Sequence, residues 1–114
     1  MQKESSQIIV IGAAIIDILV RPVEAEVFQT GSYAAEEIRM SAGADALNEA
    51  LVLAGLGKRV RLETVTGSDR AGKFVRDCCK DMGIELPQDC VREAVPTGIN
   101  VVLIDKSGER HFLT

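Results

Sequence analysis

Apolar and polar positions change rhythm several times along the chain, and each change marks an element. Positions 8–11 are an unbroken run, Ile-Ile-Val-Ile. β-Branched residues without alternation predict a strand buried on both faces, as in a parallel sheet. Gly12-Ala13-Ala14 interrupts the run, and Ile15-Ile16-Asp17-Ile18-Leu19-Val20 resumes it in strand-like composition. Pro22 ends this second strand, because a proline cannot donate to the ladder. Positions 23–33 are a mixed connection with a turn at Thr30-Gly31-Ser32. Positions 34–40 read as a short strand or a one-turn helix, exposed at the Glu36-Glu37 pair.

The rhythm then turns helical. Leu47, Ala50, Leu51 and Ala54 fall at i, i+3, i+4 and i+7, one stripe of a helix over 45–56. Gly57 is a suitable residue just past its end. Positions 59–66 form the next strand, with Val60, Leu62 and Val65 as its apolar members. Gly67-Ser68-Asp69 is a turn that can cap the following helix. There Ala71, Phe74, Val75, Cys78 and Met82 share a face, and Gly83 closes the helix. On that phase Cys78 belongs to the core and Cys79 is a partly exposed thiol. Positions 84–93 are a connection holding Pro87, with room for a short strand. After a turn at Pro96-Thr97-Gly98, the apolar stretch 99–104, the hairpin signal Asp105-Lys106-Ser107-Gly108 and the return strand 110–113 complete the chain. This order predicts an α/β layer carrying a small extra sheet. Positions 1–7 are polar and are expected to fray.

Composition narrows the class. The 114 residues are 46% hydrophobic and 26% charged, a globular balance with enough chain for one real core. Net charge is −4 without a basic run, which argues against nucleic-acid partners and against anionic membranes. Three cysteines, Cys78 and Cys79 adjacent, form no disulfide framework and fit a reduced, cytoplasmic setting. The longest apolar run, 8–20, contains Gly12 and Asp17 and is too short to span a bilayer. No basic segment precedes it, so it does not read as a signal peptide.

Two features carry candidate chemistry. Asp17 is a carboxylate among aliphatics; unpaired in a core it would be costly. It is therefore either paired internally or faces a cleft where a ligand can meet it. The second feature is Ser41-Ala42-Gly43-Ala44-Asp45-Ala46-Leu47-Asn48. Small residues let a ligand approach the backbone, a helix start offers unpaired N–H groups, and Asp45 (at the cap position) and Asn48 add polar side chains. A polyhydroxylated molecule would suit this end; a plain capped helix after a loop is the other reading.

Other motifs fail. Gly12-Ala13-Ala14-Ile15-Ile16-Asp17 lacks the second and third glycines of a dinucleotide loop, and β-branched residues follow where a helix should begin. No Walker A element is present. Metal-ligand spacing is absent: His111 stands alone and reads as an edge-strand residue, and Cys78-Cys79 has no partner pair. No Ser/His/Asp set is assembled.

Taken together, the chain resembles the N-terminal portion of a ribokinase-like (PfkB-type) carbohydrate kinase from about position 8 to its last residue. Ile11-Gly12 followed by Asp17 resembles the first strand with its sugar-contacting aspartate. Gly43-Ala44-Asp45-Ala46-Leu47-Asn48 resembles the Gly-Gly-x-x-x-Asn signature. Leu56-Gly57 ends the helix as in the family, and Gly67-Ser68-Asp69-Arg70-Ala71-Gly72 resembles its Gly-x-Asp-x-x-Gly turn. Thr97-Gly98 and the hairpin ending Gly108-Glu109-Arg110 resemble the second lid element. The pieces come in the family's order.

The resemblance implies a partial parallel sheet with flanking helices plus a small β-sheet lid, its elements at about 15–40 and 98–113. It implies a sugar-binding portion of an ATP-dependent kinase that phosphorylates a sugar hydroxyl. Asp17, Gly43, Ala44, Asp45 and Asn48 would be its substrate-binding residues, and a homodimer through the lid would be its assembly. ATP, Mg²⁺ and a monovalent cation belong to the family's C-terminal half, which also supplies the catalytic base. That half is absent from these 114 residues, so the chain alone is expected to be inactive and to bind no cofactor. The rival reading is a stand-alone sugar-binding or dimerisation module. One departure stands inside the site: Ala44 replaces the signature's second glycine, placing a methyl group where the backbone meets the sugar. A glycine restored there is expected to cost about 0.4–1 kcal/mol by loosening the unfolded chain.

Overall fold

The computed structural model describes residues 7–114; the expected fraying of positions 1–6 lies outside the described residues. In chain order the elements are β1 (Ile8–Ile11), β2 (Ile15–Arg21), β3 (Glu37–Gly43), α1 (Asp45–Gly55), β4 (Val60–Glu63), β5 (Thr66–Gly67), α2 (Arg70–Asp81), β6 (Val91–Arg92), β7 (Ile99–Ile104) and β8 (Arg110–Leu113). Short 3₁₀ turns lie at Ala25–Gln29 and Gln88–Cys90. The chain divides into two compact units. One holds the residues up to Ile16 together with Ala42–Gly98, the other Asp17–Ser41 with Ile99–Thr114. The result is the mixed α/β fold that the apolar rhythm predicts.

In the first unit β1 and β4 pair in parallel, Ile8 opposite Val60 and Ile11 opposite Glu63. Helix α1 packs on both strands, and Val10, Leu47, Ala50, Val60 and Leu62 are buried. Beyond β4, Glu85 adds one parallel bridge: its N–H donates to the Val60 carbonyl at 2.9 Å and its carbonyl accepts from Leu62 at 2.9 Å. A second parallel pair joins β5 to β6. Gly57 and Gly83 end the two helices with φ of 86° and 71°, the left-handed conformation a glycine adopts without strain.

Two expectations for this unit are corrected. β1 is not buried on both faces: Val10 is inside, whereas Ile9 and Ile11 are 59% and 79% exposed. Its described neighbours are β4 and α1, so one face is left without a covering layer. The buried line of α2 is Gly72, Val75 and Cys79, not the line through Cys78. Cys79 is fully buried and Cys78 half-buried. The phase is set by Gly72, where an added Cβ would lie 2.1 Å from the Gly67 carbonyl oxygen. Only the residue without a side chain fits that point, which rotates the rest of the helix by one position.

The second unit is a four-stranded sheet in the order β3-β2-β7-β8. The stretch at 34–40 therefore resolves as a strand, beginning at Glu37. β7 and β8 form an antiparallel hairpin with Val101 opposite Leu113 and Ile104 opposite Arg110. Gly108, at φ 87°, turns the chain. Backbone bonds from Glu36 to Arg21 and from Val23 to Ile104, both 2.9 Å, tie the connection after β2 into the sheet. Glu37 pairs with Arg21 at 2.7 Å and with Arg39 at 3.5 Å. As exposed pairs they add little stability.

Candidate functional site

The start of α1 is shaped by two small-residue segments. Gly12 approaches the helix so closely that an added Cβ would lie 2.8 Å from the Ala46 Cβ. The next residue, Ala13, accepts the Leu47 N–H at 3.3 Å, and the Asn48 N–H donates to the Ala44 carbonyl at 2.9 Å. The N–H groups of Asp45 and Ala46 meet no acceptor among the described residues, as the geometry of a helix start requires. Asp45 and Asn48 are exposed beside them, Gly43 is buried, and Ala44 is half-buried. This end therefore offers two backbone donors, a carboxylate acceptor and an amide that both donates and accepts. Such a set is suited to neighbouring hydroxyls.

The cap itself differs from the sequence expectation. Asp45 is the first helical residue, and Ala44 holds the N-cap position without a side-chain bond. Ala44 has φ 76° and ψ 154°, a region in which L-residues are strained and glycine is not. A residue with no side-chain oxygen cannot cap, so Asp45 contributes charge to the first turn instead.

Asp17 lies on β2, half-buried, in the second unit. Gly43, Ala44, Asp45 and Asn48 are thus brought together in the first unit. Spacing alone did not reveal Gly12 and Ala13 as part of this end; the only signal was a glycine interrupting an otherwise continuous apolar run.

A second polar centre lies at the start of α2. The Asp69 Oδ1 accepts from the Gly72 N–H at 2.8 Å and from the Thr97 hydroxyl at 2.6 Å, and Oδ2 accepts the Thr97 N–H at 2.9 Å. The buried Thr97 hydroxyl also accepts from Gly67 N–H at 2.8 Å. Arg76 donates to the Thr66 hydroxyl at 2.9 Å and to the Gly67 carbonyl at 2.8 Å. Donors from Thr97 and Gly72 hold the Asp69 carboxyl down at about 2. Gly67 has no room for a side chain, since a Cβ would lie 2.3 Å from the Val95 carbonyl oxygen. The Gly67-Ser68-Asp69-Arg70-Ala71-Gly72 turn is therefore a clamp: its aspartate caps α2 and fixes Thr97, two residues before β7 begins.

A cavity of about 630 Å³ has none of the α1-start residues in its lining. Arg59, Arg76 and Lys80 rim it over an apolar floor that includes Val60 and Ile84. Asn48 lines a groove of about 450 Å³ with Glu49, Val52 and Leu53. The α1 start is the better candidate for recognition, because it carries backbone donors and two exposed polar side chains within one turn, whereas the walls of the 630 Å³ cavity are mainly apolar. His111, alone by spacing, has Asp105 and Glu109 beside it in the folded hairpin.

A family model described as pfkB family carbohydrate kinase matches residues 5–114. Among solved structures, a fructokinase from Xylella fastidiosa is 30% identical with a TM-score of 0.72, covering 93% of this chain and 31% of that one. A ribokinase from Arabidopsis thaliana, complexed with ribose and ATP, is 26% identical with a TM-score of 0.73 over 96% of this chain and 36% of its own. A ribokinase from Thermotoga maritima, 23% identical, shares the fold with a TM-score of 0.76 over 96% of this chain and 36% of that one. The chain spans about a third of the length of the solved structures it matches. No helix among the described residues is long and apolar enough to cross a membrane.

Proposed function

The chain belongs to the pfkB family of carbohydrate kinases, and from that premise we propose that it is the sugar-binding portion of an ATP-dependent kinase acting on a sugar hydroxyl. The observation that carries this reading is the start of α1, where the N–H groups of Asp45 and Ala46 stand beside the exposed Asp45 and Asn48. Asn48 and Asp45 would bind hydroxyls, and Asp17 on β2 would accept another. Gly43 and Ala44 would let the sugar approach the backbone. Binding of this kind orients a hydroxyl for attack rather than performing chemistry.

The residues present do not fit a nucleotide. Both helix starts that could cradle a phosphate carry an aspartate, Asp45 in the first turn of α1 and Asp69 at the cap of α2. Either would repel a polyphosphate. ATP, Mg²⁺, any monovalent cation and the catalytic base are assigned to the portion of such kinases that this chain does not cover. No phosphoryl-transfer step is assigned to these residues.

In the second unit the sheet exposes Ile38, Met40, Phe112 and Leu113 at 71%, 51%, 58% and 57%. Apolar side chains on a sheet whose edge strand β8 is open favour a homodimer through this sheet, which would act as a lid. The same surface supports the alternative reading, a non-catalytic sugar-binding or dimerisation module.

Amide NMR titration of the 114-residue chain with a panel of pentoses and hexoses tests the main reading. Saturable shifts at residues 43–48 are expected, with no ADP release in a coupled assay. Silence at those amides across the panel at tens of millimolar sugar would refute it. Sedimentation at micromolar concentration tests the dimer, which Phe112→Lys should dissociate; a clean monomer would remove it.

A further inference from the structure

We propose that the tip of the β7–β8 hairpin is a divalent transition-metal site formed by Asp105, Glu109 and His111. The proposal is independent of the kinase reading. Its geometry follows from the strand register. Leu103 stands opposite His111 and Ile104 opposite Arg110, so Asp105 comes next to Glu109 across the turn. The Asp105 N–H donates to the Glu109 carbonyl at 3.0 Å, which closes that pair. Glu109 directly precedes β8 and His111 is the second residue of that strand. One ligand atom from each of the three side chains lies within 4.8 Å of the other two.

The electrostatics favour a cation there. A carboxylate oxygen of Asp105 and one of Glu109 lie within 4.8 Å of each other, so a cation between them would be attracted by both. The Asp105 Oδ1 accepts from the Ser107 and Glu109 N–H groups at 2.9 and 3.0 Å and from the Ser107 hydroxyl. Those bonds lock the carboxylate in place and leave Oδ2 facing the imidazole Nε2 at 3.2 Å. The hairpin is also braced from outside the turn, where the Lys106 N–H donates to Glu24 at 2.7 Å. Asp105 is thus a fixed ligand, while Glu109 and His111 are exposed and can rotate.

Ligand chemistry selects the ion. Around a tetrahedral zinc with bonds of 2.0–2.2 Å, neighbouring donor atoms are roughly 3.5 Å apart. Small rotations of the two exposed side chains reach that separation. A neutral imidazole with two carboxylates suits Zn²⁺ or a similar borderline ion, whereas Mg²⁺ and Ca²⁺ prefer all-oxygen shells. Water would complete the coordination. An ion held this way would join the tip of β7 to the edge strand β8 and neutralise the two carboxylates.

The test is calorimetric titration of ZnCl₂ into the 114-residue chain at about pH 7.5. One saturable site is expected, with MgCl₂ at the same concentration giving much weaker binding. His111→Ala should lower zinc affinity roughly tenfold or more, Glu109→Gln should lower it by a smaller factor, and Cys78→Ser should leave it unchanged. Addition of Zn²⁺ should shift the amides of residues 105–111 in a ¹H–¹⁵N spectrum. Four results would each overturn the proposal: no saturable site at hundreds of micromolar zinc, affinity unchanged in both hairpin variants, binding lost in Cys78→Ser, or shifts elsewhere in the chain.

Discussion

Ala44→Gly tests whether backbone conformation, rather than side-chain contact, is the costly feature of the α1 start. Ala44 holds φ 76° and ψ 154°. An L-residue forced into this region carries about 1–3 kcal/mol of strain. Its surroundings leave it no alternative: Gly43 before it is buried, and its own carbonyl accepts the first intrahelical bond, from Asn48 at 2.9 Å. Glycine removes the strain. It also widens the freedom of the unfolded chain, which costs about 0.4–1 kcal/mol. At an N-cap glycine is preferred over alanine, a small further gain. The sum reverses the expectation drawn from the sequence, where only the unfolded-state term was visible. Ala44→Gly should stabilise the chain by about 1 kcal/mol, and the melting temperature should rise by roughly 4 °C for a domain near this size. Urea denaturation followed by circular dichroism should show a higher midpoint at unchanged slope. Ala44→Val should do the opposite, because a β-branched residue is worse placed at positive φ. A glycine variant with a lower midpoint and the same slope would refute the reasoning and would mean that the alanine methyl makes a contact worth more than the strain.

The clamp at α2 gives a second prediction: Gly72→Ala should destabilise by about 1–3 kcal/mol, because its Cβ would meet the Gly67 carbonyl oxygen; an unchanged midpoint would show that α2 can shift freely. Acid provides a third. The Asp69 carboxyl is held at about 2 against an ordinary 3.8, so its folded value is depressed; its stabilisation is complete above about pH 4 and is lost as pH falls through 3.8 towards 2. Asp69→Asn should flatten the stability–pH curve in that window, and a slope equal to that of the parent chain would count against the clamp. The cysteines provide a fourth. Burial pushes the Cys79 thiol up to about 12 and raises Cys78 by less, so a maleimide at about pH 7.5 should label Cys78 before Cys79; the reverse order would contradict the observed helix phase.

Periodicity was enough to locate both helices, the hairpin and most strands, because amphipathic repeats and turn residues act locally. Leu47 and Ala50 are buried as the stripe over 45–56 predicts, Pro22 follows the end of β2, and Gly57, Gly83 and Gly108 turn the chain where punctuation was read. The small residues and polar side chains from Gly43 to Asn48 were legible for the same reason, being adjacent in sequence. Features that depend on distant neighbours were not legible. Which thiol is buried turned on the closeness of Gly72 to Gly67, and a one-residue change of phase exchanges Cys78 for Cys79. The exposure of Ile9 and Ile11 depends on which elements cover β1, and a run of β-branched residues cannot report that. Asp69 read as a cap, but its hold on Thr97 spans 28 positions. Ala44 read as a methyl group too many, yet its φ is imposed by the path from β3 into α1 and by Ala13 meeting the first turn. Local sequence set where elements begin and end, since their hydrogen bonds and apolar periods close within a few residues. Tertiary structure alone decided which faces are covered, which backbone is strained and which side chains meet, because those depend on groups that the chain brings together only after it folds.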